Sequence, residues 1–587
     1  MKYKKILTAI TSFAIASSLT FAAVGCGTSY KENKPVTDAT PINTDTYNVP
    51  DDYARTYYEV FVRSFADGDG DGIGDFRGLI NNLDYLNDGD DSTTEDLGIN
   101  GIWLMPINKS DSYHKYDVVD YYDVDREYGT LDDFDDLVEE CNKRGIRIQM
   151  DLVLNHTSSK HPDFIKALQD ARMGRTPENS AYMAKYVFVP TDEKPNTGKY
   201  HNVSGSGFCY LGNFDGNMPD RNLANESVRE DIKKAVDFWL ERGVYSFRLD
   251  AVPWAFADSV TFNAQNGEFW TWFNDYCDQK GREVYGTVCP DLPRYCYNVG
   301  EVLTLSHMGI SDFFSTHMSN FNYGMGGDMD IGFCAAANGK GAECATSVVT
   351  SLVDIQNDII EKDKGNAMPL LSNFLSGHDN DRSAGYFKYD EVTIKKAAGL
   401  YLLAPGNAYI YYGEEIGAAG SGVDPNKRLP FNWGDERDGL NNPPGANYQG
   451  EQKLGSWKDQ TEDPQSILTY YRNAIKLRNM FPEIARGRIE GYALDAKNNL
   501  GKMTDVKGSS KTFWEINERN KDVAAYTLTY NGQTLLIVHN IGRKGITINA
   551  NDFSSCSLVG SLKTQPGKVD FSGGKIILAS GTTAVIK

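Results

Sequence analysis

Three segments far apart in the chain each carry an apolar run to a carboxylate: SFRLDA (Ser246–Ala251), VGEV (Val299–Val302) and FLSGHDNDR (Phe374–Arg382). They deliver Asp250, Glu301 and Asp379. Each run is short, β-prone and bounded by loop-like sequence, so each reads as a buried strand with its acid at the C-terminal tip. Barrel enzymes assemble their chemistry at that rim. A buried carboxylate costs free energy unless it is paired or reactive, so three converging on one rim need a reason.

Outward from these runs, strand-like segments alternate with amphipathic helical ones from Tyr57 on, which predicts βα units and a parallel sheet. Strands are expected at 57–65, 98–106, 146–154, 246–251, 297–303, about 320–324, 370–377 and 408–412, with helices at 131–144 and 226–242. Eight such units predict a closed (β/α)8 TIM barrel over 51–156 and 223–485. The stretch 157–222, rich in Gly, Pro, Asn and aromatics, is too long for a simple barrel loop and reads as an inserted domain after strand 3. From 486 to 587 the helical pattern gives way to VAAYTLTY, QTLLIVHNI, GITINA and KIILAS, which predicts a C-terminal antiparallel β-sandwich.

The N-terminus carries Lys2, Lys4 and Lys5, an apolar stretch from Ile6 to Val24, then Gly25-Cys26. This reads as a secretory signal over 1–25 ending in a lipobox-like AVGC, with mature Cys26 lipid-anchored at the membrane and 26–50 a flexible tether. The alternative is a cleaved signal with Cys26 incidental. Either way the protein is expected outside the cytoplasm, on the cell membrane or secreted. Eight cysteines follow Cys26 at irregular spacings, and Cys289 with Cys296 could close a short loop. The formal charge of -21 repels phosphate backbones, and no basic cluster is interleaved with aromatics, so nucleic acid is not an expected partner. A monomer is expected.

DLVLNH (Asp151–His156), FRLDA (Phe247–Ala251), GEV (Gly300–Val302) and GHD (Gly377–Asp379), in this order, resemble the four signature regions of the α-amylase family, glycoside hydrolase family 13. IYYGEEIG (Ile410–Gly417) and RLPFNW (Arg428–Trp433) look like further family segments. MPDRN (Met218–Asn222) is similar to the MPDLN segment of a group intermediate between oligo-1,6-glucosidases and neopullulanases. The resemblance implies an endo-acting, retaining hydrolase of α-1,4-glucosidic bonds in starch and maltooligosaccharides, with an α-glucosidase or α-glucan transferase as the alternative and a non-catalytic α-glucan-binding lipoprotein as a third reading.

By that resemblance Asp250 is the nucleophile, Glu301 the general acid/base and Asp379 the transition-state stabiliser. Retention requires two carboxyls about 5–5.5 Å apart. Arg248, two residues before Asp250 on one strand, faces the same side and would hold it ionised. Nearby carboxylates would raise the pKa of Glu301, as an acid requires. His114, His156, His378, Tyr116, Arg382 and Trp254 are expected to join Arg248 around the substrate, with Tyr116 stacking on the sugar. Two departures stand beside the acids. Gly377 replaces the usual Asn, and Pro253-Trp254 replaces a Lys-His pair that contacts leaving-group sugars.

DGDGDGIGD places Asp67, Asp69, Asp71 and Asp75 at positions 1, 3, 5 and 9 of a calcium-like loop, with the Ile73 carbonyl at 7. Gly78 at position 12 rules out an EF-hand. The segment resembles instead the Ca2+ loop after the first barrel strand in the intermediate group. Asn155 aligns with a second family calcium ligand.

Overall fold

In a computed structural model the described residues run from 52 to 587, apart from 94, 196, 257–261, 287–293, 304–311, 328–329, 340–343, 364–369 and 504–520. The expected signal, tether and Cys26 lie outside them, as does Cys289. Cys296 is a buried thiol that donates to the Tyr245 carbonyl.

Eight parallel strands form the core: β1 (Thr56–Val60), β2 (Gly101–Leu104), β3 (Arg147–Leu152), β4 (Val244–Leu249), β5 (Val299–Gly300), β6 (Ser319–Asn320), β7 (Ser372–Asn373) and β8 (Asn407–Tyr411). They pair in the order β6-β5-β4-β3-β2-β1-β8-β7, and a parallel bridge from Phe321 to Ser372 joins the ends into a barrel. The eight expected strands are therefore present, although β5, β6 and β7 are shorter than the apolar runs that announce them. The interior is filled rather than hollow, as in barrels of this kind. Tyr57 stacks on Tyr409 at 4.7 Å, and Phe321 and Trp103 close the same layer. Gly101 makes room for this layer, because a Cβ there would lie 2.5 Å from the Tyr57 ring.

The helix Leu131–Lys143 buries Phe134, Leu137, Val138 and Cys141, the i, i+3, i+4, i+7 stripe expected of a helix packed on a barrel. A reciprocal capping box between Thr130 and Asp133 starts it. Asn225 caps the second expected helix, Glu226–Glu241. Between β3 and that helix lie the helix Pro162–Arg172 and a small antiparallel sheet of Phe188–Pro190, Tyr200–Asn202 and Phe208–Leu211. An antiparallel hairpin after β2, Asn108–Ser110 with Val118–Val124, has no counterpart in the expected elements; it carries His114 and Tyr116 in its loop.

The C-terminal region is antiparallel, a six-stranded sheet facing a three-stranded one across a core that includes Leu494, Val538, Ile548, Ile576 and Ile586. The six-stranded sheet turns Leu528, Leu535 and Ile537 toward the barrel's own core. A buried bidentate pair, Arg486 to Asp52 at 2.7 Å on both arms, ties the start of this region to the chain leading into β1.

Candidate active site at the barrel rim

Asp250 and Glu301 directly follow β4 and β5, so adjacent parallel strands deliver them side by side. Arg248, 1% exposed at the side chain, spans the two: one terminal nitrogen is 2.8 Å from Asp250 Oδ1 and the other 2.8 Å from Glu301 Oε2. It also bonds the buried Asp151 at 3.1 Å, and Asp151 takes further bonds from Trp103 Nε1 and the Tyr116 hydroxyl. Ala251, in the left-handed region at φ 52°, turns the chain just after Asp250 and donates its N–H to Glu301 Oε2 at 3.0 Å. A non-glycine residue there costs about 1 kcal/mol. That strain aims a donor at the acid.

Asp379 does not sit at a strand tip as expected. It lies in the loop beyond β7, where His378 Nε2 (3.0 Å) and an Arg428 terminal nitrogen (3.1 Å) clamp its carboxylate and 47% of its side chain is exposed. Glu59 on β1 accepts from His378 Nδ1 at 2.6 Å. Although burial opposes the charge, Asp379 and Glu59 raise the His378 pKa to about 10, so the imidazolium persists at neutral pH. Burial likewise works against ionisation of Asp379, but His378 and Arg428 overcome it and hold its pKa well below the carboxylate range. A small cleft lined by Glu59, Trp103, Tyr323, Gly377 and His378 adjoins this carboxylate. Gly377 leaves open space, since a Cβ there would meet no atom closer than 3.4 Å.

Five carboxyls (Glu59, Asp151, Asp250, Glu301, Asp379) thus face three cations (Arg248, His378, Arg428), a surplus of two negative charges if all ionise. Burial pushes Glu301 upward, with Asp250 and Asp379 adding and Arg248 opposing. Burial also raises Asp250, with Arg248 opposing, Asp379 adding and His378 opposing, and the net shift is upward. Burial lifts Asp151 as well, to about 7 against the pull of Arg248, so Asp151, Asp250 and Glu301 titrate as one linked cluster.

The other expected residues divide. Tyr116 joins the centre, its hydroxyl 2.7 Å from His378 Nε2. His156 is buried beside the rim, and neither ring nitrogen finds a hydrogen-bond partner among the described residues, the condition of a group that bonds a ligand. His114 accepts the Tyr116 N–H at Nδ1, and burial lowers its pKa to about 4, so it is neutral. Trp254 sits on the turn after Asp250. Arg382 is a correction: its guanidinium stacks at 3.8 Å on the Tyr411 ring and donates to the Tyr412 and Lys427 carbonyls, so it braces the barrel wall and does not line the site. Arg428 holds the position on Asp379 instead. Sequence reasoning passed over Arg428, Glu59 and Asp151, although all three stand inside the segments it quoted.

In the DGDGDGIGD loop, Asp67, Asp69 and Asp71 each bring a carboxylate oxygen within 4.8 Å of the others. Asp67 accepts N–H bonds from Gly70 and Gly72, both at positive φ, so the backbone is already curled around it. An all-oxygen anionic donor set fits a hard divalent cation. Asp75 stands apart, with both its oxygens accepting N–H bonds from Gly68 and Gly78 at the start of the next helix. Asn155 gives its amide to Asp220 at 3.1 Å.

A parallel (β/α)8 barrel with Asp250 and Glu301 at adjacent strand ends, joined by one guanidinium, and a clamped Asp379 in the loop beyond β7 is an arrangement suited to cleaving glycosidic bonds. Residues 59–487 match the family model for the alpha amylase catalytic domain. The chain is 31% identical over 549 residues to "Alpha-amylase 3" of Dictyoglomus thermophilum, covering 92% of this chain and 94% of that one. It is 27% identical over 564 residues to an oligo-1,6-glucosidase of Parageobacillus thermoglucosidasius, covering 83% and 90%. Among solved structures, Eubacterium rectale Amy13B superposes with a TM-score of 0.80 at 34% identity, covering 93% of this chain and 99% of that one. The chain belongs to the α-amylase family of glycoside hydrolases.

The His378 cluster predicts a pH signature. Its proton is held more tightly folded than unfolded, so its contribution to stability is full below pH 6.5 and is lost as pH rises toward about 10. Urea unfolding of wild type should show stability falling across that window, and His378→Asn should flatten the slope. An equal slope in both proteins would contradict the assignment.

Proposed function

We propose that this protein cleaves α-1,4-glucosidic bonds within starch and maltooligosaccharides by double displacement with retention of anomeric configuration. The observation that carries the reading is the single Arg248 guanidinium bonded to both Asp250 and Glu301. One guanidinium gathers both carboxyls, which supports the close pair that a retaining enzyme needs. Asp250 Oδ2, which has no bonding partner among the described residues, attacks the anomeric carbon while Glu301 gives its proton to the departing oxygen. The sugar–Asp250 ester forms as the glycosidic bond breaks. Glu301, now a carboxylate, takes a proton from water, which attacks the same carbon and releases Asp250. Asp379, charged and clamped, bonds the hydroxyls of the distorted sugar, and Tyr116 stacks against its face.

Similarity to a protein named "Alpha-amylase 3" over nearly the whole chain supports endo action on starch. The similarity to an oligo-1,6-glucosidase supports the alternative of exo action. Glu301→Gln should release reducing sugar from soluble starch at least about 10^3-fold more slowly than wild type. Equal release from both proteins would remove the catalytic assignment. Early chromatography of maltoheptaose products should show a spread of lengths; glucose alone would favour the exo reading.

Ca2+ is proposed at the acidic loop, held by Asp67, Asp69 and Asp71 with the Ile73 carbonyl, while Asp75, its oxygens taken by the Gly68 and Gly78 N–H groups, closes the loop without ligating. The ion would neutralise carboxylates that otherwise repel one another. Chelation should lower the thermal unfolding midpoint and added Ca2+ restore it, by about 2.7 kcal/mol at a hundredfold excess over Kd. An unchanged midpoint, or the same response in Asp69→Ala, would exclude the site.

An anchored location outside the cytoplasm, through lipid on Cys26, is proposed from the leader sequence. Cys26→Ser should move the protein from the membrane to the soluble fraction after cell lysis; unchanged partitioning would discount the anchor.

A further inference from the structure

The loop of the hairpin after β2 carries His114 and Tyr116, and between them Lys115 adopts the left-handed conformation at φ 62°. That conformation costs a residue with a side chain about 1 kcal/mol, whereas glycine adopts it freely. Lys115 adds a second cost, because its ammonium is withdrawn from water on a side chain only 2% exposed. A charge so placed is destabilising unless well-made partners offset it. A glycine at this position would incur neither cost, so the reason for the lysine lies in what its ammonium holds.

The side chain runs back from the loop to the turn that follows the hairpin's second strand. Its Nζ lies 2.8 Å from Glu127 Oε2 and 3.2 Å from Asp125 Oδ2, and 5.1 Å from the centre of the Tyr128 ring. Both acids are fixed in turn. Asp125 accepts the Ser110 N–H and the Glu127 N–H, each at 3.0 Å, and Arg63 reaches Glu127 at 3.3 Å from the short helical turn after β1. Within the loop, the Ser112 hydroxyl accepts the Lys115 N–H at 3.1 Å and the Ser112 carbonyl accepts from Nζ at 3.4 Å. The backbone leading into Tyr116 is thus gripped through both the main chain and the side chain of its neighbour.

Tyr116 is held at its far end as well, its hydroxyl 3.1 Å from Asp151 and 2.7 Å from His378 Nε2. Its ring therefore spans two anchors, the Lys115 ion pairs at the backbone and the charged centre at the hydroxyl. On the reading that Tyr116 stacks against a bound glucose unit, we infer that Lys115 is a positioning residue for substrate: its ammonium, through Asp125 and Glu127, sets how far the Tyr116 ring stands from the sugar face. Buried behind the loop, Lys115 acts only through that ring.

Affinity separates this role from a merely structural one. In the Glu301→Gln background, maltoheptaose binding is measured by calorimetry well below the unfolding midpoint of each variant. Lys115→Gly removes the ammonium and relieves the backbone, and it should weaken binding about fivefold, as for a stacking contact disturbed but not lost. Lys115→Met should do the same, while Lys115→Arg should keep most of the affinity. With Tyr116→Ala added, Lys115→Gly should change affinity less than about twofold, because the ring it acts through is gone. Unchanged affinity in both Lys115→Gly and Lys115→Met, an undiminished loss in the Tyr116→Ala protein, or failure of both single variants to fold would each overturn the positioning role. A Glu301→Gln protein that folds but binds no maltoheptaose would instead remove the α-glucan reading, and the positioning role with it.

Discussion

The site depends on one buried guanidinium. Arg248 is 1% exposed and meets Asp151, Asp250 and Glu301 within about one side chain's reach. Burying a charge costs several kcal/mol, and only several well-placed partners can offset that. Asp151 is the partner that never reacts: fully buried and further bonded by Trp103 and Tyr116, it fixes where the guanidinium lies. The position of Arg248 then sets the position of both strand-end carboxyls, Asp250 and Glu301. Removing Asp151 would therefore disturb the chemistry without touching a reacting group.

A second charge system closes the other side. Glu59, buried on the first strand, pairs with His378 and keeps it positive, and His378 with Arg428 keeps Asp379 negative. Two cations fixed against one carboxylate allow Asp379 to stay ionised while it opens to the cleft. Burial raises Glu301, and Asp250 and Asp379 add to that against the pull of Arg248.

The barrel was legible because its strands are buried on both faces and so appear as short continuous apolar runs between helical stripes. Asp250 and Glu301 were legible for the same reason, since they end such runs. The partners that tune them were not. Glu59 lies 319 residues before His378 and Arg428 49 residues after Asp379, and no local pattern links positions that only barrel closure brings together. Arg382 failed as a substrate contact because the ring it stacks on, Tyr411, belongs to the next strand, invisible from its own segment. The hairpin after the second strand was missed because its short strands have no sustained alternation, with Val118–Val124 half exposed.

The central claim is that Asp250, held by Arg248, forms a covalent bond to the sugar. It is tested most directly by incubating the protein with a fluorinated glycosyl fluoride whose ester hydrolyses slowly, then mapping the adduct by peptide mass spectrometry. The account predicts one glycosyl unit on the peptide containing Asp250, released when an acceptor sugar is added. An adduct on another carboxyl, or no adduct together with an inverted product, would contradict it.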